Sequence, residues 1–181
     1  DIETWYDPDD SSMNKPEKAQ MPITSLVAYS TEKERYFVFS WHPTKTAKYD
    51  EPKMLDKDNV SYIFTKTEEE MIMGFLNLVR VSNVDILSGW YSDGFDMPYI
   101  INRCKVLGLP AEMLSPVDDI YIRKRGEFWR INIRGLDHVD MMSGLQDMGY
   151  NLPNWKLDTA AKEILKKPDL IIYLKASTDT L

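Results

Sequence analysis

Residues 87–103 read LSGWYSDGFDMPYIINR, and the composition of this stretch changes from strand-like to helix-like within a few positions. An apolar run ends, a short loop rich in glycine and aspartate follows, and Asp96 stands where a helix can begin. The pattern predicts a helix from Asp96 through Lys105 or Val106, with Gly108 as its left-handed stop. The order strand, loop, helix puts Asp96 at the carboxyl end of a strand.

The segments before this unit predict a hairpin, a loop and a buried strand. Ile23–Ser30 and Arg35–Trp41 are rich in Ile, Val, Tyr and Phe and are separated by polar residues, which is typical of a β-hairpin. The largely polar segment Pro43–Asn59 is predicted to be a loop. Val84–Ser88 is apolar except for one aspartate and is predicted to be a buried strand.

An amphipathic helix is predicted between these segments. A third short apolar run, Val60–Phe64, leads to Thr67, which is followed three residues later by Glu70. Thr and Glu at this spacing form a capping box, and apolar residues recur after it at helical spacing. The helix is predicted to extend to about Arg80.

The second half of the chain predicts a further hairpin, one strand and two helical segments. The hairpin is formed by Ile120–Lys124 and Glu127–Arg134, with its turn at Arg125-Gly126. A strand is predicted at His138–Met141, a helix near Leu157–Leu165, and a last helical segment from Asp169. Together the elements predict an α/β fold, a mixed β-sheet flanked by α-helices.

Composition limits the kinds of site and compartment that are possible. With 181 residues and 43% apolar residues, the chain is predicted to be one folded domain. One cysteine and two histidines exclude an intramolecular disulfide and leave too few ligands for a structural zinc site, so any metal must be held by oxygen. No apolar run approaches the roughly 18 residues of a membrane helix, and the acidic start is unlike a signal peptide, which predicts a soluble, unsecreted protein without membrane contact.

Two sets of residues have the chemistry of a functional site. If DIET is a strand, Asp1 and Glu3 lie on one face, where a divalent cation would relieve the repulsion between their carboxylates. The alternative is an exposed acidic terminus. Asp96 and Phe95 would bring a carboxylate and a stacking surface to one crevice, and the alternative is that Asp96 caps its helix while Phe95 packs in the core.

Four segments, taken in order, closely resemble the proofreading 3'-5' exonuclease domain of family B DNA polymerases, particularly phage and viral members: DIET, GWYSDGFDMPYIINR, GLDHVDMM and NWKLDTAAKEIL. The resemblance implies a ribonuclease-H-like α/β architecture. It also implies that residues 1–181 are a single exonuclease domain, a fragment of a larger polymerase that acts in the cytoplasm during phage or viral replication. If Asp1 were the natural first residue, its terminal ammonium would repel the cations that its carboxylate is expected to bind. We therefore expect the natural chain to extend upstream.

The same resemblance implies a two-metal site and its substrate. Asp1 and Glu3 from the first motif and Asp96 from the second would hold two Mg²⁺ or Mn²⁺ ions. The substrate would be a single-stranded DNA 3' end, from which nucleoside 5'-monophosphates are released, with Phe95 stacking the terminal bases. The polymerase domain of the same natural chain would be the partner.

The family's third motif supplies a tyrosine that orients water and an aspartate four residues later. Tyr173 is the best tyrosine candidate, although an ordinary packed tyrosine is an alternative, and Ser177 stands at the expected aspartate position. Asp179, six residues beyond Tyr173, is rotated ~240° around a helix and is a poor substitute. A further departure is Tyr91, which stands where the family usually has an asparagine near the substrate strand.

Two alternatives to a DNA exonuclease stay open. Ser177 and Tyr91 favour a nucleic-acid-binding or structural module of a polymerase that has lost hydrolysis. The sequence also allows a stand-alone exonuclease acting on RNA, since contacts to the 2'-hydroxyl cannot be read from it. Basic residues of the second hairpin interleave with Phe128 and Trp129 and could contact phosphates or bases, or they could form an ordinary solvated face.

Overall fold

The structure, a computed structural model, describes residues 1–5, 15–43, 53–126 and 128–165. The helical segment predicted from Asp169 and the third-motif candidates Tyr173, Ser177 and Asp179 lie outside the described residues. The chain divides into two compact units, residues 1–141 and 142–181.

A five-stranded mixed sheet is the centre of the first unit. Its strand order is β1-β2-β3-β5-β4, and β3 and β5 are parallel while the other neighbours are antiparallel. The predicted first hairpin is confirmed as β2 and β3. The five strands are β1 (Ile2–Thr4), β2 (Ile23–Ser30), β3 (Arg35–Ser40), β4 (Lys53–Lys57) and β5 (Val60–Phe64).

Strand β4 corrects the prediction that Pro43–Asn59 is entirely loop. Residues Lys53–Lys57 pair antiparallel with β5 along its whole length. A strand at the edge of a sheet needs few buried apolar residues, and Leu55 in β4 is 45% exposed, so the sequence shows no alternating apolar pattern. The tight turn to β5 places Asp58 at φ 53°, a conformation that aspartate tolerates better than most residues.

Helix α1 (Glu68–Val81) packs its apolar face on this sheet. Its amino-terminal end has the predicted capping residue, because the Glu70 amide donates to Thr67 Oγ1 at 3.2 Å. The carboxylate of Glu70 instead accepts from the amide of Lys66, at 3.0 Å. The face turned to the core consists of Met71, Ile72, Phe75, Leu76 and Val79.

A second, two-stranded parallel sheet leads into the next helix. It consists of β6 (Ile86–Gly89) and β9 (Asp137–Asp140). Helix α2 (Asp96–Leu107) follows β6 and ends at Gly108, whose φ of 70° is the predicted left-handed stop. The prediction of a fully buried strand is wrong here, because Ile86 is 62% exposed and only alternate residues of β6 are half-buried.

The second predicted hairpin is confirmed as β7 (Ile120–Arg125) and β8 (Phe128–Ile133), paired antiparallel. A short 3-10 helix, Ala111–Leu114, lies between α2 and this hairpin. The inner face of the hairpin packs against the core through Ile120, Ile122, Ile131 and Ile133.

A buried ion pair ties α1 to α2 and to the chain before β2. Arg103 donates from Nε and Nη2 to both carboxylate oxygens of Glu68, at 2.8 and 2.6 Å. Its Nη1 donates to the carbonyls of Ala19 and Gln20. The Ile23 amide is a third donor to Glu68, at 2.7 Å from Oε1. Every partner that a buried charge requires is therefore present.

The second unit contains helix α4 (Leu157–Leu165), as predicted, and all but the first residue of the short helix α3 (Met141–Asp147). Asn154 precedes α4 and accepts from the Lys156 amide and the Thr159 hydroxyl.

The mixed sheets and flanking helices confirm the predicted α/β class. None of the helices in the described ranges has the length and apolar character needed to cross a bilayer.

Candidate functional site

Two carboxylates lie at β1, one on Asp1 immediately before the strand and one on Glu3 within it. Asp1 and Glu3 are exposed, whereas Ile2 between them is 6% exposed and packs in the core. Pairing of Ile2 with Leu26 of β2 fixes this orientation. The alternation of a strand therefore places both acidic side chains opposite the core, as the D-x-E pattern predicts.

A hydrogen bond joins β1 to the start of α2. The Ile2 amide donates to Asp96 Oδ1 at 2.9 Å, although the two residues are separated by 94 positions in the sequence. The residue preceding α2 is Phe95, and no side-chain capping bond is made there. Asp96 therefore does not cap its own helix. Its carboxylate is directed to the strand that carries Asp1 and Glu3.

Burial makes the Asp96 carboxylate costly to ionise. Desolvation raises its pKa above the ordinary value, and the nearby carboxylate of Asp140 adds to this effect. The Asp1 ammonium and the Ile2 amide act in the opposite direction but do not compensate. A partly buried carboxylate of raised pKa is often found at a functional site, since a bound cation would offset the cost of its charge.

This raised pKa predicts a pH-dependent stability of the metal-free chain. The pKa of such a carboxyl group is higher in the folded state than in the unfolded state. It contributes stability at pH values below its unfolded-state pKa, near 3.9. That contribution is lost as pH rises through the folded-state pKa. In EDTA, we expect Asp96→Asn to raise Tm at neutral pH relative to wild type and to leave it nearly unchanged at pH 3. Calorimetry at the two pH values measures this difference, and an equal or lower Tm for the variant at neutral pH would contradict it.

The loop between β6 and α2 is held by residues that the sequence analysis did not select. Ser92 Oγ lies 3.1 Å from His138 Nε2, and Asp93 Oδ1 lies 3.0 Å from His138 Nδ1. The Asp93 amide donates to Asp140 Oδ2 at 2.9 Å. His138 and Asp140 belong to β9, which is parallel to β6. The rule that carboxyl ends of parallel strands share one edge would have pointed to Asp140, the last residue of β9.

Two aromatic residues of this loop, Tyr91 and Phe95, precede Asp96 in the sequence. Phe95 is half-buried against the core, with its ring centre 5.3 Å from that of Tyr99. Tyr91 is 51% exposed and has φ 56°. Its ring covers Gly94 so closely that a Cβ there would lie 2.2 Å from Tyr91 Cζ, so a larger residue would require the ring to move. Of the two rings, Tyr91 is the more accessible.

The second hairpin carries a basic outer face. Strand pairing sets Arg123 opposite Arg130 and Arg125 opposite Phe128, and these four side chains are exposed. Lys124 belongs to the other face, with its Nζ 5.8 Å from the centre of the Trp129 ring and an ion pair to Glu17. The Lys124 hydrogen bond lowers the pKa of Glu17. The outer face thus combines three guanidinium groups with an aromatic ring.

The donors at β1 and α2 have the chemistry that Mg²⁺ and Mn²⁺ require, since all are carboxylate oxygens. In the part of the chain that the structure describes, no three His, Cys, Asp or Glu side chains are gathered closely enough to hold an ion. The structure joins Asp96 to β1 through Ile2 and leaves the carboxylates of Asp1 and Glu3 exposed. The residues thus fit hard divalent cations by the chemistry of their oxygen donors.

Comparison with known proteins identifies the family. The model of the family described as DNA polymerase family B, exonuclease domain, matches residues 1–160. The chain belongs to this family. The match spans the elements that carry Asp1, Glu3 and Asp96, and it agrees with the ribonuclease-H-like mixed sheet and flanking helices.

The exonuclease domain is similar to polymerases from archaea, phages and viruses. It is 27% identical to the DNA polymerase of Pyrococcus glycovorans over 173 residues, which cover 96% of this chain and 20% of that protein. It is 27% identical to the DNA-directed DNA polymerase of Enterobacteria phage T4 over 178 residues, 86% of this chain and 20% of that protein. The DNA polymerase catalytic subunit of alcelaphine herpesvirus 1 is 31% identical over 125 residues, 62% of this chain and 12% of that protein. The chain thus spans at most a fifth of the length of these three relatives.

Proposed function

We propose that this exonuclease domain is a metal-dependent 3'-5' exonuclease that removes nucleoside 5'-monophosphates from single-stranded DNA 3' ends. In this proposal residues 1–181 act as one domain, and a polymerase domain of the same natural chain is the partner. The observation that carries the proposal is the hydrogen bond from the Ile2 amide to Asp96, which brings the acidic strand and the acidic helix start to one place.

Asp1, Glu3 and Asp96 are the proposed ligands of two Mg²⁺ or Mn²⁺ ions. Bound in this way, the ions would supply an activated water and charge stabilisation for the leaving 3'-oxygen. The Ile2 amide holds the Asp96 carboxylate in one orientation. Phe95 is proposed to stack the terminal base, and Tyr173 to orient the water.

The test of the proposed function is the identity of the product. Incubation of the chain with single-stranded DNA and Mn²⁺ is expected to release deoxynucleoside 5'-monophosphates, identified by chromatography against 3'-monophosphate standards. A single-stranded RNA of the same sequence is the matched substrate. Faster degradation of RNA than of DNA would support the alternative of an RNA exonuclease, and 3'-monophosphates or oligonucleotide products would contradict the proposal.

The third motif predicts a gain of activity on substitution. With Ser177 at the expected aspartate position, the site would have three acidic ligands for two ions, so one ion should bind weakly and turnover should be low. Ser177→Asp is expected to raise the rate on single-stranded DNA at least ~10-fold, measured at subsaturating Mn²⁺.

Thr178→Asp is the matched control, because it adds the same charge one position away. It should leave the rate within about twofold of wild type, since neighbouring positions of the helix that the sequence predicts here would face different directions. A strongly active wild-type chain, or no gain in Ser177→Asp, would contradict the placement of the third motif.

A second candidate function is favoured by the basic outer face of the second hairpin. If the chain binds single strands without cutting them, Arg123 and Arg130 are expected to contact phosphates. The double variant Arg123→Gln/Arg130→Gln should weaken binding of oligonucleotides of every sequence. It should also reduce the slope of log K against log salt by about 0.7 for each lost contact, measured by fluorescence anisotropy.

The control for this prediction is Lys57→Gln/Lys66→Gln, which removes two exposed charges from the other sheet and its connection to α1. An equal loss of affinity in both double variants would show that net charge, and not the hairpin face, determines binding.

A further inference from the structure

A Ser-His-Asp arrangement joins β9 to the loop that leads to Asp96, with its serine and histidine side chains buried and its aspartate side chain 39% exposed. His138 Nε2 is 3.1 Å from Ser92 Oγ, and His138 Nδ1 is 3.0 Å from Asp93 Oδ1. The side chain of His138 is 3% exposed and Ser92 is 5% exposed. None of these three residues has a role in the proposed site.

The arrangement resembles a hydrolase triad, but its serine cannot reach a substrate. A nucleophilic serine has to be open to the carbonyl or phosphoryl group that it attacks. Ser92 is buried, and its Cβ would lie 2.8 Å from a Cβ placed on Gly89. The contacts therefore serve the backbone of the loop and not covalent catalysis.

The donors and acceptors define how the imidazole is held. The Asp93 carboxylate can only accept, so His138 carries a proton on Nδ1 and donates it to Asp93. In the neutral ring, Nε2 then accepts the hydroxyl proton of Ser92. One side chain of β9 thereby fixes two successive residues of the loop.

These two residues in turn fix the first turn of α2. The Ser92 carbonyl accepts from the Met97 amide at 3.0 Å, and the Asp93 amide donates to Asp140 Oδ2 at 2.9 Å. The amides of Gly94 and Phe95 both donate to the Tyr91 carbonyl. Every backbone amide from Asp93 to Phe95 is therefore bound, and Asp96 follows a loop with one defined path.

We infer that His138 is a positioning residue for Asp96, acting through Ser92 and Asp93. The inference rests on the proposed function, because Asp96 is proposed there as a metal ligand. Loss of a residue that orients a metal ligand typically reduces metal affinity or activity by 10- to 100-fold. The imidazole nitrogens, and not only the volume of the ring, are required.

Substitutions of His138 separate the contribution of the ring nitrogens from that of the ring volume. His138→Leu fills a similar volume without a nitrogen, whereas Asn places a donor near the Nδ1 position and Gln places a polar group near Nε2. We expect the Mn²⁺ concentration for half-maximal nuclease rate to rise ~10-fold in the Leu variant and to recover at least partly in the Asn or Gln variant. The half-saturation value does not depend on the fraction of folded enzyme. Val139→Ala, an exposed neighbour on β9, is the control and should match wild type.

Amide hydrogen exchange of the metal-free chain tests the inference without any activity. The Asp93 and Met97 amides should exchange at least about 10-fold faster in His138→Leu than in Val139→Ala, while the amides of the β2-β3 ladder keep their rates. Ser92→Ala, a smaller change, should show the same local effect if the Leu variant does not fold.

Unchanged exchange in the loop, or Asn and Gln variants no better than Leu, would overturn the role of His138. A wild-type chain without nuclease activity but with this exchange pattern would contradict only the proposed function.

Discussion

Asp96→Asn is expected to reduce the Mn²⁺-dependent nuclease rate by at least about 100-fold, since losing a ligand should cost no less than losing a group that supports one. The substitution removes the charge that a divalent cation requires but keeps Oδ1, which accepts the Ile2 amide at 2.9 Å. Fold and site geometry should therefore persist while metal binding is lost. Steady-state rates on a labelled single strand, together with Mn²⁺ titration, measure both quantities.

Asp85→Asn is the matched control, since this exposed aspartate immediately precedes β6 and the same atoms are exchanged. Its rate should stay within about twofold of wild type, as is usual for exposed positions away from a site. Equal rates in wild type and Asp96→Asn would remove Asp96 from the site.

The largest expected effect on stability comes from Arg103. Arg103→Met leaves the Glu68 carboxylate buried without its counter-ion, which typically costs about 3–5 kcal/mol. Burial alone would lower the pKa of Arg103, but the hydrogen bonds and charge of Glu68 raise it, so the guanidinium stays charged. For a domain of this size, the loss corresponds to a decrease in Tm of about 2–4 °C per kcal/mol, which thermal unfolding followed by circular dichroism measures.

Arg134→Met is the comparison for this prediction. Arg134 pairs with Asp119 at 3.0 Å, but the two side chains are 73% and 54% exposed, so the pair should contribute at most about 1 kcal/mol. The Tm of the two variants should differ clearly. Similar losses in both would show that the Glu68–Arg103 pair does not hold α1 and α2 together.

Local signals in the sequence predict most of the elements. The structure has the capping threonine at position 67, the hairpin around residues 31–34 and the left-handed glycine at position 108. Strand β4 was missed because it lies at the edge of the sheet and depends on β5 for its conformation. Exposure of Ile86 was missed because an apolar run does not reveal which faces of a strand will be covered.

The candidate site was predictable in its motifs and not in its contacts. Period-2 alternation places Asp1 and Glu3 together, but only the tertiary fold brings Ile2 to Asp96. His138 was predicted only as the first residue of a strand, because its contacts Ser92 and Asp93 come from a loop that is distant in the sequence. The roles of Asp1, Glu3, Asp96, Phe95 and Tyr173 stay predictions.

The proposed function can be tested by the degradation of a 5'-labelled single-stranded DNA by wild type and by Asp96→Asn, each with Mn²⁺ and with EDTA. A 3'-5' exonuclease shortens the labelled strand one nucleotide at a time, so wild type with Mn²⁺ should give a descending ladder, even if slowly, and the other three reactions should give none. Immediate release of labelled mononucleotide, a ladder that persists in EDTA, or identical ladders from both proteins would contradict the proposal that this domain is a metal-dependent 3'-5' exonuclease whose site contains Asp96.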